Sequence, residues 1–293
     1  MKKGLILINA YSRLKSSLNQ SERLKEELER LNVCVDIYPN DFFASQIDSF
    51  GNIKTKTEGY DFCIYLDKDK YISHMLEKSG LRLFNSHTAI EVCDDKMLTS
   101  ITLANSKIPM PKTLAGLLCY DGGAEIGKSV FDSVESELGY PLIVKTSYGS
   151  LGKGVFKADN REDLIKIANN LKCTPHLFQQ FIKSSSGRDI RVIVIGGKFT
   201  AAMVRQSKGD FRSNLELGGT ATAINPPQEV ISLCERTAKL LKLDYCGIDV
   251  LFGEDGYYIC EVNSNAFFGG IEKATKVNVA KAYAEYIYNI IYK

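Results

Sequence analysis

The stretch from Asp249 to Asn263 constrains the chain most tightly. Two apolar, β-branched and aromatic runs flank Glu254-Asp255-Gly256, the pattern of a β-hairpin with a three-residue loop and Gly256 in the left-handed position. Such a loop pairs Gly253 with Tyr257 and, counting back, sets Asp249 opposite Glu261. Opposed residues share a sheet face, and Asn263, two residues on from Glu261, shares it too. Two neighbouring carboxylates repel each other. A divalent cation turns that repulsion into binding, and Asp, Glu and Asn are oxygen donors of the type that suits Mg²⁺. On this fragment alone a metal site and a solvated sheet face are equally good readings. A one-residue slip in register would separate the acids.

The chain has 293 residues, enough for two or three small domains. A hydrophobic content of 44% and a charged content of 25% fit a soluble globular protein. A net charge of +2 gives no basic field for nucleic acid. The eight cysteines, at 34, 63, 93, 119, 173, 234, 246 and 260, form no Cys-x-x-Cys pair. Several sit in apolar runs, so they read as reduced thiols of a cytoplasmic protein. With only His74, His87 and His176, a zinc site has no ligand spacing. The apolar run after Lys2-Lys3 is too short for a signal peptide and meets Asn9, Ser12 and Arg13 at once. No run is long enough to span a membrane.

Residues 4–10, 33–38, 61–66 and 81–85 read as strands, with a helix from Leu14 to Leu31, its Leu14, Leu18, Leu24, Leu28 and Leu31 at mostly helical spacing, and another from Lys70 to Lys78. This alternation implies a parallel α/β unit over residues 1–87. Ligands of such sheets sit at the carboxyl ends of strands, which singles out Asn9, Tyr11, Ser12, Arg13 and Asp67; ordinary loop polarity is the competing reading. Thr88-Ala89-Ile90-Glu91 is a capping box, and the helix it opens runs to about Ser106. Lys96 on that helix is by default a surface lysine. Ile108-Pro109-Met110-Pro111 begins an extended stretch.

The strand 141–146 carries Lys145 inside an apolar run, uncommon without an anionic partner. Gly149, Gly152 and Gly154 follow at once, with Ser150 and Lys153 between them. Glycines so spaced let backbone N–H groups close on phosphate oxygens, although the spacing is neither that of a Walker loop nor that of a dinucleotide fingerprint, and a plain glycine-rich hairpin is an equally good reading of the stretch alone. A second unit, α+β, covers 88–182 and a third 183–293. In the third, Asp189 and Arg191 share a strand face and Gly196-Gly197 turns a hairpin. A helix spans Pro227 to Leu243. After the Asp249–Asn263 ribbon come a loop with Gly269-Gly270 and a terminal helix from about Asn278.

The order of these segments resembles the ATP-grasp enzymes and, within them, the RimK-like glutamate ligases. The matching segments are Asp95-Lys96 with Ile108-Pro109-Met110-Pro111, Pro141-Leu142-Ile143-Val144-Lys145, the Gly149–Val155 loop, Gln179-Gln180-Phe181-Ile182-Lys183, Gly187-Arg188-Asp189-Ile190-Arg191, Gly209-Asp210-Phe211-Arg212-Ser213-Asn214-Leu215, Gly247-Ile248-Asp249-Val250 and Glu261-Val262-Asn263. The run from Gly209 to Asn214 is the most specific.

The resemblance implies an N-terminal parallel α/β domain followed by a two-lobed ATP-grasp core, α/β and α+β in class. It implies that Lys96 and Lys145 contact nucleotide phosphates and that Gly149, Ser150, Gly152 and Gly154 form a mobile clamp over them. Gln179, Gln180 and Phe181 would lie beside adenine, and Asp189 on the ribose. Asp249, Glu261 and Asn263 would hold Mg²⁺, with Mn²⁺ as a substitute, and Arg205, Arg212 and Asn214 would stabilise the transferred phosphoryl group. The implied activity joins an amino acid such as glutamate to an amine or peptide acceptor through an acyl phosphate. The implied partners are small molecules or peptides, not nucleic acid or membrane, and the family likeness suggests a homo-oligomer. Two positions depart from the family: Gln180 stands where Glu is usual, and Ser264-Asn265-Ala266 where Ser-Pro-Gly follows the last metal position. A small-molecule kinase and a non-catalytic nucleotide-binding regulator are the alternatives. Amide formation separates the first from a ligase, and ATP binding without turnover would mark the second.

Overall fold

The computed structural model describes residues 2–42, 45–150, 152–213 and 218–293. The protein is mixed α/β and α+β, with one parallel and two larger antiparallel sheets. Among the described residues no helix is long and apolar enough to cross a membrane.

The chain opens with β1 (Lys3–Ile8), α1 (Lys15–Arg30) and β2 (Cys34–Pro39), then a small hairpin, β3 (Gln46–Ile47) with β4 (Ile53–Lys54). β5 (Phe62–Leu66), α2 (Lys70–Lys78) and β6 (Arg82–Phe84) follow. The first sheet is parallel with order β2-β1-β5-β6. Its central strands are apolar on both faces because both faces are covered. Ile6, Phe62 and Ile64 pack with Leu24 and Leu28 of α1, while Leu5, Leu7 and Cys63 pack with Leu76 of α2.

The helically spaced leucines of α1 do not all face inward. Leu14 and Leu18 are exposed, and Ser17, Gln20 and Ser21 are buried instead. The reason is position: the first turns of α1 border a polar groove, and only the later turns reach the apolar core.

The single helix expected from Thr88 to Ser106 is two helices, α3 (His87–Asp94) and α4 (Lys96–Leu103). Ser86 caps the first through Ala89 N–H, in place of the expected Thr88 box. Asp95 is extended, and its carboxylate accepts from the N–H groups of Met97 and Leu98. A short acidic side chain that captures backbone donors in this way ends one helix and starts the next. Both helices pack their apolar residues against the C-terminal sheet.

The central lobe contains β7 (Thr113–Ala115), α5 (Lys128–Leu138), β8 (Leu142–Thr146), β9 (Val155–Ala158), α6 (Arg161–Leu171) and β10 (His176–Gln180). Its antiparallel sheet has order β7-β10-β8-β9 and a core of its own, with Phe131, Leu142, Val144, Leu164 and Phe178.

The C-terminal lobe adds β11 (Arg188–Ile195), β12 (Lys198–Gln206), β13 (Thr220–Ala223), α7 (Gln228–Leu240), β14 (Tyr245–Phe252), β15 (Tyr257–Asn263), α8 (Gly269–Thr275) and α9 (Val279–Ile291). Sheet order is β13-β12-β11-β14-β15. α7 covers one face, and α8, α9 and α1 help to cover the other. Gly196 and Gly197 turn the β11–β12 hairpin with φ of +56° and +74°. The loop expected at Gly269-Gly270 is instead the start of α8.

Asn85, 2% exposed, fastens the first sheet to the C-terminal lobe. Its Nδ2 donates to the carbonyls of Tyr245 (2.7 Å) and Ser264 (2.8 Å), and its Oδ1 accepts from the N–H groups of Asp244 and Tyr245. Arg82 adds two hydrogen bonds to the Asp244 carboxylate, which also accepts from Tyr286 Oη.

Candidate active site

Across the β14–β15 ribbon Asp249 is opposite Glu261 and Gly247 is opposite Asn263. The route to that register differs from the one expected. Phe252, not Gly253, pairs with Tyr257, and Gly253 N–H donates to Gly256 O at 2.7 Å. Carried back unbroken, this longer loop would set Asp249 opposite Cys260. A β-bulge intervenes: Val250 pairs with Ile259 and Asp249 with Glu261, leaving Cys260 as the extra residue. The bulge offsets the loop, so the acids meet as expected for a reason the expectation did not contain.

The neighbouring strands supply a charge ladder on the same face. Arg191 on β11 is opposite Asp249, and Arg205 on β12 is opposite Asp189. Arg191 binds both oxygens of Asp249 through Nε and Nη2. Arg205 does the same to Asp189, at 2.8 and 2.5 Å, and its Nη2 lies 2.9 Å from Asp249 Oδ2. Asp189, Arg205 and Asp249 are only 5–6% exposed. Burial pushes the Asp249 carboxyl up, but Arg191 and Arg205 outweigh it and hold the group below the usual range. Burial and the Asp249 charge raise Asp189. Removing one member of a buried charge set typically costs about 3–5 kcal/mol, because its partner is left uncompensated.

Of the remaining predicted residues, Lys96, Lys145, Gly149, Ser150, Gly152, Gln179, Gln180, Phe181 and Arg212 line the cavity where the central lobe faces this ladder, whereas Gly154 does not and Asn263 borders the adjoining groove. Lys145 Nζ donates to Gln179 Oε1 at 2.7 Å and lies 3.5 Å from Cys260 Sγ. Lys96 is not the surface lysine of the default reading: its side chain is 11% exposed, with Nζ 3.9 Å from Glu261 Oε1. The helix break at Asp95 makes Lys96 the first residue of α4. Burial lowers its pKa, and the Glu261 charge opposes that.

Two cations hold the glycine loop by its carbonyls: Lys96 Nζ donates to Gly149 O (2.8 Å) and Arg212 Nη1 to Gly152 O (2.9 Å). Gly154 must be glycine, since with φ at +75° a Cβ there would meet Thr146 Oγ1 at 2.3 Å. Ser150, Gln180 and Phe181 also line the cavity, with apolar walls from Ile143, Val155, Ile182 and Leu251. The walls are given no role from the sequence, although Ile143 and Leu251 sit in strands marked there. Cys260 also belongs to the lining, where an inert core thiol was expected. Asn214 lies outside the described residues.

A broader groove of about 1310 Å³ adjoins the ladder and is bordered by α1, the ends of β1 and β5, and the segment 263–273. Asp249 and Glu261 reach both spaces. Two carboxylates and the Asn263 carboxamide are a donor set for a hard divalent cation. Among the described residues no three His, Cys, Asp or Glu side chains converge on a metal position.

The family model of the RimK-like ATP-grasp domain matches residues 93–287. The chain belongs to this family. N-acetylaspartylglutamate synthase A of Homo sapiens is 35% identical over 228 residues, 77% of this chain and 57% of that protein. The chain thus spans little more than half the length of that RimK-like relative. A probable alpha-L-glutamate ligase of Maridesulfovibrio salexigens is 36% identical over 219 residues, 74% of this chain and 70% of the relative. Among solved structures, the ATP-grasp ligase PsnB, complexed with a minimal precursor, Mg and ADP, superposes with a TM-score of 0.70 at 18% identity, over 99% of this chain and 98% of that one. That likeness establishes the ATP-grasp fold.

Proposed function

We propose that the chain is an ATP-dependent carboxylate–amine ligase that adds an amino acid, glutamate first among the candidates, through an acyl phosphate. One observation carries the reading: the opposed Asp249 and Glu261 face a glycine loop whose carbonyls are held by two displaceable cations, Lys96 and Arg212. The names of the two relatives, an N-acetylaspartylglutamate synthase and a probable alpha-L-glutamate ligase, support the choice of glutamate.

A carboxylate is a poor electrophile. Transfer of the γ-phosphoryl gives it a good leaving group, and an amine then forms the amide. In this reading Lys145, Lys96, Arg205 and Arg212 neutralise the charge that builds on the phosphoryl oxygens. Phosphate oxygens would replace the Gly149 and Gly152 carbonyls on Lys96 and Arg212. The glycine loop, so released, would close over the nucleotide and exclude water, which would otherwise hydrolyse the acyl phosphate. Gln179, Gln180 and Phe181, with the apolar walls, would border the adenine, and Asp189 the ribose once Arg205 turns to phosphate. Asp249, once Arg191 and Arg205 release its oxygens, would hold Mg²⁺ or Mn²⁺ together with Glu261 and Asn263, and the ion would supply charge neutralisation for the phosphate oxygens.

The test is a screen of amino acids against carboxylic acids and peptides for ADP and phosphate release, with products identified by mass. The expected result is ADP release that requires both organic substrates and yields an amide. Phosphorylated product without an amide, or ATP binding with no turnover across the screen, would sink the reading.

A further inference from the structure

One carboxylate of the broad groove has no part in the chemistry above. Asp67 follows β5, Asn9 follows β1 and Asn40 follows β2, so the three stand at the carboxyl ends of adjacent parallel strands. The chain leaves β1 for β2 on one side and returns to β5 on the other. The crevice at β1 and β5 is therefore the switch point where open parallel sheets take ligands.

The three side chains form a built site. Asn9 Nδ2 donates to Asp67 Oδ1 (3.0 Å), Asn40 Nδ2 to Oδ2 (2.5 Å) and the Lys68 N–H to Oδ1 (2.7 Å). The carboxamide oxygens of Asn9 and Asn40 are fixed in turn by the N–H groups of Tyr11 and Ala10. Asp67 is 7% exposed and borders the groove that also contains Arg191, Asp249 and Glu261. Three neutral donors orient the carboxylate but leave its charge. Among the described residues no Lys or Arg pairs with it; the neighbouring Lys68 ammonium pairs with Asp94 at 2.7 Å instead. Burial raises the Asp67 carboxyl, with Asp69 and Asp94 adding to the effect, as befits an anion lacking a countercharge. A buried, oriented, uncompensated carboxylate open to a substrate groove is complementary to a cation with hydrogen-bond donors.

We propose that Asp67, braced by Asn9 and Asn40, receives the ammonium group of the amine substrate and fixes that end of it in the groove. The assignment rests on the ligase reading for what the amine is used for, but not for whether it binds. A ligase needs an amine, and an amine arrives at neutral pH as an ammonium ion.

The experiment titrates the proteinogenic amino acids into the full chain held with Mg²⁺ and a non-hydrolysable ATP analogue, with N-acetyl-L-glutamate as the probe that lacks an ammonium. Wild type should bind at least one amino acid, and Asp67→Asn should bind it about tenfold or more weakly. N-acetyl-L-glutamate should bind both proteins equally poorly. Because the amide introduced by Asp67→Asn would face the donors of Asn9 and Asn40, Asn9→Ala serves as a second variant. It keeps the charge, loosens its orientation, and should weaken binding about three- to fivefold. Affinity for the ATP analogue should stay within about twofold in both variants, which reports an intact cleft. Equal amino-acid affinity in wild type and Asp67→Asn overturns the proposal, as does the absence of saturable binding by any amino acid. Binding that depends on Asp67, with no amide formed in the product screen, keeps this site and discards the ligase reading.

Discussion

The C-terminal lobe meets its two neighbours through joints of opposite character. Toward the first sheet the contact is neutral and closed. Asn85 spends donors and acceptor on four backbone partners, and one continuous core runs from Ile6 and Leu24 to Tyr283 and Ile287. Toward the central lobe the contact is ionic and provisional. Lys96 and Arg212 hold glycine carbonyls, Lys145 reaches Cys260 Sγ at 3.5 Å, and the central sheet keeps a separate core. A lysine or arginine bound to a neutral carbonyl gains by exchanging it for a phosphate, because charge-assisted bonds are roughly twice as strong. A buried asparagine with every group satisfied gains nothing by moving. The first joint is built to stay, and the second to be taken over by an anion.

The largest effect should come from emptying the ionic joint. Lys145→Ala and Glu261→Ala should each lower turnover on the order of 10³-fold, about 4 kcal/mol of transition-state stabilisation. Unfolding of each should remain a single cooperative transition near that of the parent. Steady-state ADP release alongside urea unfolding checks both halves, and full activity in either variant would count heavily against the site.

The neutral joint should answer the other way. Asn85→Ala orphans two buried carbonyls and two buried N–H groups, for a loss of about 3 kcal/mol or more. That loss should appear in the urea midpoint, while the folded fraction keeps its KM for ATP. A rise in that KM matching the loss of stability would erase the distinction between the joints. A smaller change separates loop from lobe: Arg212→Ala removes one bond to Gly152 O and a partly exposed ion pair with Asp210, so its stability cost should be about 1–2 kcal/mol. Its turnover should nevertheless fall well beyond that, because in the proposed function the guanidinium serves the phosphoryl group. Equal small losses in both would assign Arg212 to the loop alone.

Legibility in the sequence followed the same divide. The acids of the ribbon could be placed because strand alternation fixes which residues share a face, even though loop and bulge had each been missed. Lys145 and the glycine loop stood out because a lysine in an apolar run and closely spaced glycines are local signals. Asp67 was reachable by the strand-end rule. Asn85 was not: a single asparagine after a short apolar run has no local signature, and its partners lie about 160 to 179 residues away. The break at Asp95 was hidden for a related reason. Asp94-Asp95-Lys96 continues a helical pattern, and only the capture of Met97 and Leu98 N–H groups by the second acid turns Lys96 into the cleft.

The smallest effect tests the seam of the ionic joint, at Gln180. Its N–H donates to Lys112 O at 2.8 Å, while its exposed side chain accepts a long 3.4 Å bond from Lys112 N–H. The family usually has Glu here. In Gln180→Glu a carboxylate oxygen accepts from the same N–H, and the ammonium of that same Lys112, now on Glu137, offers a cation. An exposed exchange of this kind should shift stability by no more than about 0.5 kcal/mol. Because the side chain also borders the nucleotide cavity, the change should appear as a few-fold shift in KM for ATP with turnover kept, the signature of uniform binding. If KM stays fixed and turnover falls instead, Gln180 acts on the closing of the central lobe rather than on the nucleotide, and the seam belongs to the moving joint.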